Sequence, residues 1–146
     1  MKERLERHTV IRELVRNSSI KTQDELVEAL TTRGFECTQA TVSRDIKDMG
    51  LEKIARSGQG RGYVLAEDLR LQSMTSDLVV ELNTIDNFVV VKAQSGTAPG
   101  VAAALDDAKL DGILGSVSGD DTILVICNSV DAAKVLYDIL AAYRKA

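Results

Sequence analysis

The sequence predicts an α+β fold in two parts: three short helices and a β-hairpin, then a ββαββα segment with an antiparallel sheet. Two observations support this prediction. Helix caps recur through the first third of the chain, and short apolar segments of strand length recur beyond it. Charge divides the chain as well, because residues 1–66 contain 12 Lys and Arg against 10 Asp and Glu, whereas residues 67–146 contain 6 against 12. A mildly basic part and an acidic part indicate two functions on one chain.

Capping and turn residues divide the first third of the chain into three helical segments. Residues 3–16 repeat apolar side chains at helical spacing. Thr22 and Glu25 form a capping box, because the hydroxyl and the carboxylate three residues later each satisfy a free amide. Gly34 stands where a left-handed C-cap is expected, and Thr38 caps the third helix. We therefore expect three short helices with tight connections.

A glycine-rich hairpin follows the third helix. Residues 51–56 and 63–66 have the pattern of strands, and residues 57–62 between them contain three glycines and Arg61. Three helices followed by such a hairpin are typical of a winged helix-turn-helix, which binds duplex DNA. We assign residues 1–66 to this domain.

The third helix has a narrow apolar stripe and a polar face opposite it. At 100° per residue, three apolar residues share one side and should face the core: Val42, Ile46 and Met49. Ala40, Arg44 and Lys47 fall on the other side. A small residue permits close approach to a DNA groove, and arginine donates to base edges or phosphates. An ordinary solvated face has the same pattern, but the capped helix before it and the hairpin after it favour DNA binding.

The second part of the chain has the pattern of a two-layer domain. Residues 67–77 are mostly polar and are predicted to be a linker. Apolar segments then predict two pairs of strands, over residues 78–82, 88–93, 113–118 and 122–127. A helix over residues 101–110, with Pro99 in its first turn, separates the pairs. The last helix has apolar residues spaced three and four apart up to Tyr143. This order predicts a domain over residues 78–146, with helices on one face of an antiparallel sheet.

Composition argues against several classes of protein. The longest apolar runs, such as residues 88–91 and 123–127, are too short to span a bilayer, and the N-terminus is charged rather than apolar. We therefore expect a cytoplasmic protein with no membrane partner. Cys37 and Cys127 lie in different halves and His8 is the only histidine, which excludes a zinc site of usual spacing. We predict no metal site and two reduced cysteines.

Residues 38–46, Thr-Gln-Ala-Thr-Val-Ser-Arg-Asp-Ile, resemble the recognition helix of bacterial arginine repressors. The resemblance extends over nearly the whole chain, because residues 96–106 and 112–126 resemble the loop, helix and hairpin of that family's effector domain. It implies that Arg44 reads bases next to Ser43. It also implies further DNA contacts, with Thr41 and Gln39 supporting base readout and with Lys47 and Arg61 binding phosphates.

Two adjacent carboxylates are the physical basis for an effector site. Asp120 and Asp121 lie on a predicted tight turn and create a negative site that suits a guanidinium or ammonium group, although Gly-Asp is also ordinary turn chemistry. The resemblance implies that the ligand is L-arginine, a co-repressor rather than a cofactor, bound where trimers stack into hexamers. Asp106 and Ser118 complete the predicted site. Pro99 departs from the family pattern, because some members have a polar ligand-contacting side chain there.

The predicted function is an arginine-responsive, DNA-binding regulator of arginine biosynthesis or catabolism genes that forms trimers and hexamers and binds operator DNA. An enzyme using the paired aspartates for acid–base or Mg²⁺ chemistry is the first alternative, but residues 67–146 contain no histidine, nucleophile elbow or P-loop. The second alternative is a winged-helix regulator whose C-terminal domain binds another amino acid or only mediates assembly. An RNA-binding module is disfavoured by the scarcity of aromatic residues, at 3%.

Overall fold

The computed structural model describes residues 2–56 and 60–145. These residues form two compact units, residues 1–66 and residues 67–146, each with its own core. The predicted α+β class is confirmed, with helices first and antiparallel sheets after them. Nowhere in these described ranges does a helix have the length and apolar composition needed to cross a bilayer.

The first unit is a three-helix bundle closed by a hairpin. Its elements are α1 (Lys2–Asn17), α2 (Gln23–Thr32), α3 (Gln39–Asp48), β1 (Leu51–Arg56) and β2 (Gly60–Leu65). The helices and the hairpin bury one aliphatic cluster, in which Ile11 of α1, Leu26 and Leu30 of α2 and Val42 of α3 are fully enclosed. Because the cluster takes residues from every helix, it packs α3 against α2 and β1.

The helix caps have the geometry that the sequence predicts. The hydroxyl of Thr22 accepts from the amide of Glu25 at 3.1 Å, and the carboxylate of Glu25 accepts from the amide of Lys21 at 2.7 Å. Gly34 has φ +93°, and its amide donates to the carbonyl of Thr31 at 3.0 Å. A left-handed residue here ends α2 and starts the turn to α3, a position that favours glycine.

The hairpin begins its second strand earlier than predicted. Strand β2 starts at Gly60 rather than at residue 63, and Arg61 pairs with Ala55 of β1 instead of lying in the tip. The remaining predicted tip residues, 57–59, lie outside the described residues. The amide of Tyr63 donates to the carbonyl of Ile20 at 2.9 Å and so ties the hairpin to the α1–α2 connection.

The second unit packs helices against a four-stranded sheet. It contains α4 (Ala66–Leu78), β3 (Val79–Ile85), β4 (Phe88–Ala93), α5 (Ala98–Ala108), β5 (Ile113–Ser118), β6 (Thr122–Cys127) and α6 (Val130–Lys145). The strand order is β3-β4-β6-β5, and every pair is antiparallel. Alternate residues of β4 and β6, such as Val89 and Val125, are fully buried beneath α5 and α6. Cys127 lies in this core, and burial raises the pKa of its thiol.

The prediction of a polar linker over residues 67–77 is wrong, because these residues belong to helix α4. Leu71 and Thr75 of α4 are fully buried, and Met74 and Leu78 pack against the core of the second unit. Apolar residues three and four apart therefore form a narrow stripe within a mostly polar segment. The stripe makes α4 part of the second unit.

Truncation of Leu71 tests whether α4 belongs to that core. We expect Leu71→Ala to lower the free energy of unfolding by about 2–5 kcal/mol, because the change leaves a cavity in a closed aliphatic cluster. Urea unfolding followed by circular dichroism measures the loss. Ser73→Ala, at an exposed position of the same helix, is the matched control. Equal stability of the two variants would show that α4 is a tether.

Candidate functional site

Helix α3 presents an exposed polar face. Ser43, Arg44 and Lys47 are exposed on it, beside the small exposed Ala40. Among residues 2–56 and 60–145, neither Arg44 nor Lys47 has an ion-pair partner. Their positive charges are therefore directed to solvent, where a phosphate or a base edge can reach them. We name this surface, made of Ala40, Ser43, Arg44 and Lys47, the α3 face.

Two predicted contact residues at the start of α3 have partners within the chain. The hydroxyl of Thr38 caps the helix by accepting from the amide of Thr41 at 3.3 Å, and the two hydroxyls lie 3.2 Å apart. The side-chain amide of Gln39 donates to the carboxylate of Asp24 in the first turn of α2. Thr41 and Gln39 therefore stabilise the turn between the two helices in the absence of DNA.

Arg61 lies on the hairpin and not on the α3 face. Its side chain is exposed, and Nη2 donates to the carbonyl of Lys53 across the hairpin at 3.3 Å. A single weak hydrogen bond leaves the guanidinium able to bind a phosphate.

The buried side of α3 contains a charged residue that the sequence pattern did not single out. Asp45 is only 2% exposed. The guanidinium of Arg7 in α1 donates to both of its oxygens, with Nη2 at 2.9 Å from Oδ1. Nε2 of His8 lies 2.8 Å from the same Oδ1, and because a carboxylate can only accept, the imidazole donates. One carboxylate thus joins α3 to two residues of α1.

A second ion pair connects the same two helices, one turn earlier on α1 and one turn later on α3. Arg4 of α1 donates to Asp48 of α3 at 2.9 Å, and the Asp48 side chain is 34% exposed. The two pairs differ mainly in burial, since Arg7 is only 12% exposed. A buried pair is costly to break, whereas a solvated pair contributes little.

In the second unit, the β5–β6 turn is bonded to the loop before α5. Asp120 accepts from the hydroxyl of Ser95 and from the amide of Gly96, both at 3.1 Å. The carbonyl of Asp120 accepts from the amide of Ala98, the first residue of α5, at 3.1 Å. One oxygen of this carboxylate is therefore used to hold the loop.

The other predicted ligand-binding residues lie at two places. Asp121 is exposed, and its only described side-chain bond is a 2.8 Å one from its neighbour Thr122. Ser118 is exposed at the end of β5, next to this turn. Asp106 instead accepts from Ser116 at 3.2 Å and lies eight residues after the start of α5, about 12 Å along the helix.

Pro99 lies in the first turn of α5 and is exposed. This first-turn position is the one predicted from the sequence, and it suits proline because an amide there would have no partner within the helix. Its side chain borders the loop that Asp120 holds, and it can offer a ligand only apolar contact.

One face of the sheet of the second unit has exposed apolar side chains. Val90, Leu124 and Val117 are register neighbours on β4, β6 and β5. Leu124 is partly exposed and Val117 is 65% exposed, whereas the opposite face is buried by α5 and α6. We name these three residues the outer sheet face. Leu114, on the edge strand beside it, is 71% exposed.

Comparison with known families assigns both parts of the chain. Residues 2–71 match the arginine repressor DNA binding domain, and residues 75–142 match the arginine repressor C-terminal domain. The chain belongs to the arginine repressor family. Members of this family are DNA-binding regulators, so the prediction that the chain is not an enzyme is confirmed.

Curated relatives agree over almost their full length. The arginine repressor of Thermus thermophilus is 46% identical, over 97% of this chain and 90% of its own length. The arginine repressor of Halothermothrix orenii is 37% identical, over 92% and 94% respectively. That of Bacillus cereus is 41% identical, over 91% and 93%.

Asp45 is the residue next to the α3 face that the sequence analysis did not identify. It falls three residues after Val42 and so on the side of α3 that faces the core. An acidic residue within an apolar stripe requires a partner, and the adjacent Arg7 and His8 in α1 supply the donors. The sequence shows that Asp45 lies on the core side of α3. It does not show which residues bind Asp45, because residue spacing does not reveal that α1 lies beside α3.

Burial and bonding act in opposite directions on the Asp45 carboxyl. Burial alone would raise its pKa, but the hydrogen bonds and charges of Arg7 and His8 outweigh burial and hold the pKa below its ordinary value. A lowered pKa in the folded state means that the carboxylate stabilises the fold above the unfolded pKa of about 3.9. That contribution is lost as the pH falls through the lowered pKa.

Asp45→Asn tests this linkage. Leaving a buried charge without its partner costs about 3–5 kcal/mol near neutral pH. The difference in unfolding free energy between wild type and variant should shrink as the pH falls from about 6 to about 2.5. Urea unfolding of the full chain across this range measures it. Asp48→Asn, which changes the same charge in the exposed pair, should show a small difference at every pH; equal behaviour of the two variants would contradict the assignment.

Proposed function

We propose that the chain is an arginine-responsive transcriptional regulator that reads operator DNA with the α3 face and binds L-arginine at the β5–β6 turn. The observation that carries the first part is the exposure of Arg44 and Lys47 on a capped helix, without ion-pair partners in the described ranges. In a winged helix-turn-helix, this helix enters the major groove. The proposed targets are operators of arginine biosynthesis or catabolism genes, and the proposed compartment is the cytoplasm.

The roles of the DNA-binding residues follow from their positions. Arg44 suits base readout, because its guanidinium can donate two bonds to one guanine edge. Ser43 and Ala40 allow the helix to approach the groove closely. Lys47 and, from the hairpin, Arg61 suit phosphate oxygens. Gln39 and Thr41 take part after exchanging their internal partners for DNA.

The effector site rests on Asp121, with Asp120 in a different role. Asp121 is exposed and has most of its acceptor capacity free, so its carboxylate suits the guanidinium or the ammonium group of L-arginine. Asp120 holds the loop before α5 with one oxygen and can offer a ligand the other. Ser118 lies beside them. Asp106 bonds to Ser116 of β5, and we propose that it joins the site from the same or from a neighbouring subunit.

Assembly through copies of the chain is supported by the outer sheet face. An apolar surface on a sheet that faces solvent is unusual in a monomer, and a second copy presents the same apolar surface. We propose trimers that stack into hexamers, with L-arginine between them. Ligand that bridges trimers favours the hexamer by mass action, and several DNA-binding units on one particle bind paired half-sites with avidity.

Arg44→Ala tests DNA readout. We expect affinity for an operator, obtained by selecting duplexes from a random pool with the wild-type protein and L-arginine, to fall at least about tenfold, because a bidentate base contact is lost. Fluorescence anisotropy measures the affinity. Arg33→Ala is the matched control, because Arg33 is an exposed arginine of the same unit that pairs with Glu13. Wild-type affinity in the Arg44 variant would exclude α3 as the reading helix.

Asp121→Asn tests the effector site. We expect affinity for L-arginine to fall by about 10–100-fold, since a charge-assisted bond is removed from an exposed, otherwise intact turn. Isothermal calorimetry measures binding, and light scattering with and without L-arginine measures the shift to hexamers. Asp138→Asn, at an exposed position on α6, is the control. Unchanged binding of L-arginine by the Asp121 variant would place the site elsewhere; binding of a different amino acid in its place would favour the second alternative.

A further inference from the structure

We infer that Asp45, held by Arg7 and His8, is a positioning residue that sets the rotation of α3 about its own axis and so aims Arg44 at the bases. The inference rests on the proposal that the α3 face reads DNA. It concerns residues that point away from that face.

Apolar packing alone fixes the rotation of α3 weakly. Val42 is the one apolar residue of the helix that is fully buried, while Ile46 and Met49 are only partly buried. Aliphatic contacts have no preferred direction, so a helix with so narrow a stripe can roll over its neighbours at little cost. A directional interaction, such as a hydrogen bond, is needed to restrict this rotation.

The bond between Asp45 and Arg7 is directional. The planar guanidinium donates from Nε and Nη2 to the two carboxylate oxygens, a fork that tolerates little rotation of either partner. His8 adds a third donor from the same helix. Because Asp45 is 2% exposed, water cannot easily replace a bond that breaks. The arrangement therefore holds one rotation of α3 relative to α1.

Rotation of α3 translates directly into the position of Arg44. The two residues are adjacent, so Arg44 points about 100° away from Asp45 on a helix. A roll of about 15° moves groups at a side-chain radius of about 5–6 Å by roughly 1.5 Å. Productive polar contacts tolerate only about 0.5 Å. Without the bonds to Asp45, the helix would still bind DNA but would lose sequence-specific contacts with the bases.

Charge alone predicts the opposite result, which makes the inference testable. Loss of a carboxylate from a DNA-binding helix should strengthen attraction to phosphate and tighten binding to any duplex. Misaimed readout should instead weaken operator binding while sequence-independent binding stays. The ratio of operator affinity to scrambled-duplex affinity separates these effects, because the loss of a phosphate contact lowers both affinities together.

The test compares charge-neutral changes at the buried and the exposed pair. Arg7→Lys keeps the positive charge but not the fork, and Arg4→Lys makes the same change in the pair with Asp48. We expect the affinity ratio to fall at least about tenfold in Arg7→Lys and to stay within about twofold of wild type in Arg4→Lys. Fluorescence anisotropy with the selected operator and a scrambled duplex of the same composition measures it, at a temperature where circular dichroism shows both variants folded.

Asp45→Asn and Asp48→Asn form a second matched set, and Arg7→Lys decides the test if Asp45→Asn does not fold. An unchanged ratio in folded Arg7→Lys would overturn the inference, as would equal ratios in the two folded aspartate variants. These failures differ from failure of the proposed function. If Arg44→Ala leaves operator binding intact, α3 does not read DNA; if Arg44→Ala abolishes it and the Arg7 and Asp45 variants keep the ratio, only the positioning role is lost.

Discussion

A carboxylate on the buried side of α3 ties that helix to α1. Asp45 faces the core, where an unpartnered charge would be costly, so the first unit has to bring donors to it. Arg7 and His8 of α1 provide them. Helices α1 and α3 are thereby coupled through directional bonds, which in our proposal set the orientation of the exposed residues Ser43, Arg44 and Lys47.

The second unit uses an aspartate in the same way. Asp120 bonds to the loop before α5 through its carboxylate and to the first residue of α5 through its carbonyl. The turn, the loop and the helix start are therefore held as one polar surface, from which Asp121 projects. In each unit an aspartate with internal hydrogen bonds is adjacent in sequence to the residue that we propose for binding. Asp45 follows Arg44, the proposed DNA contact, and Asp120 precedes Asp121, the proposed L-arginine contact.

An exposed apolar surface supports our proposal that the chain acts as an assembly of several copies. The outer sheet face leaves Val117 and Leu124 in contact with solvent. Asp106 of α5 bonds to Ser116 of β5, whereas Asp121 in the β5–β6 turn bonds to Thr122. In the proposed assembly a neighbouring copy covers the outer sheet face and L-arginine bridges subunits, which is the arrangement expected when ligand binding and assembly are linked.

Local signals in the sequence determined the helix caps, the three strands β4, β5 and β6, and the apolar side of α3. Such signals act between residues a few positions apart, and Thr22, Gly34 and Thr38 carry them. Only the tertiary structure decided that residues 67–77 form a core helix, that Arg61 lies within a strand, and that Asp120 is bonded internally. It also decided that Asp45 is bound by α1, because a charge 38 residues from Arg7 in the chain finds its partner only when the packed helices bring the two together.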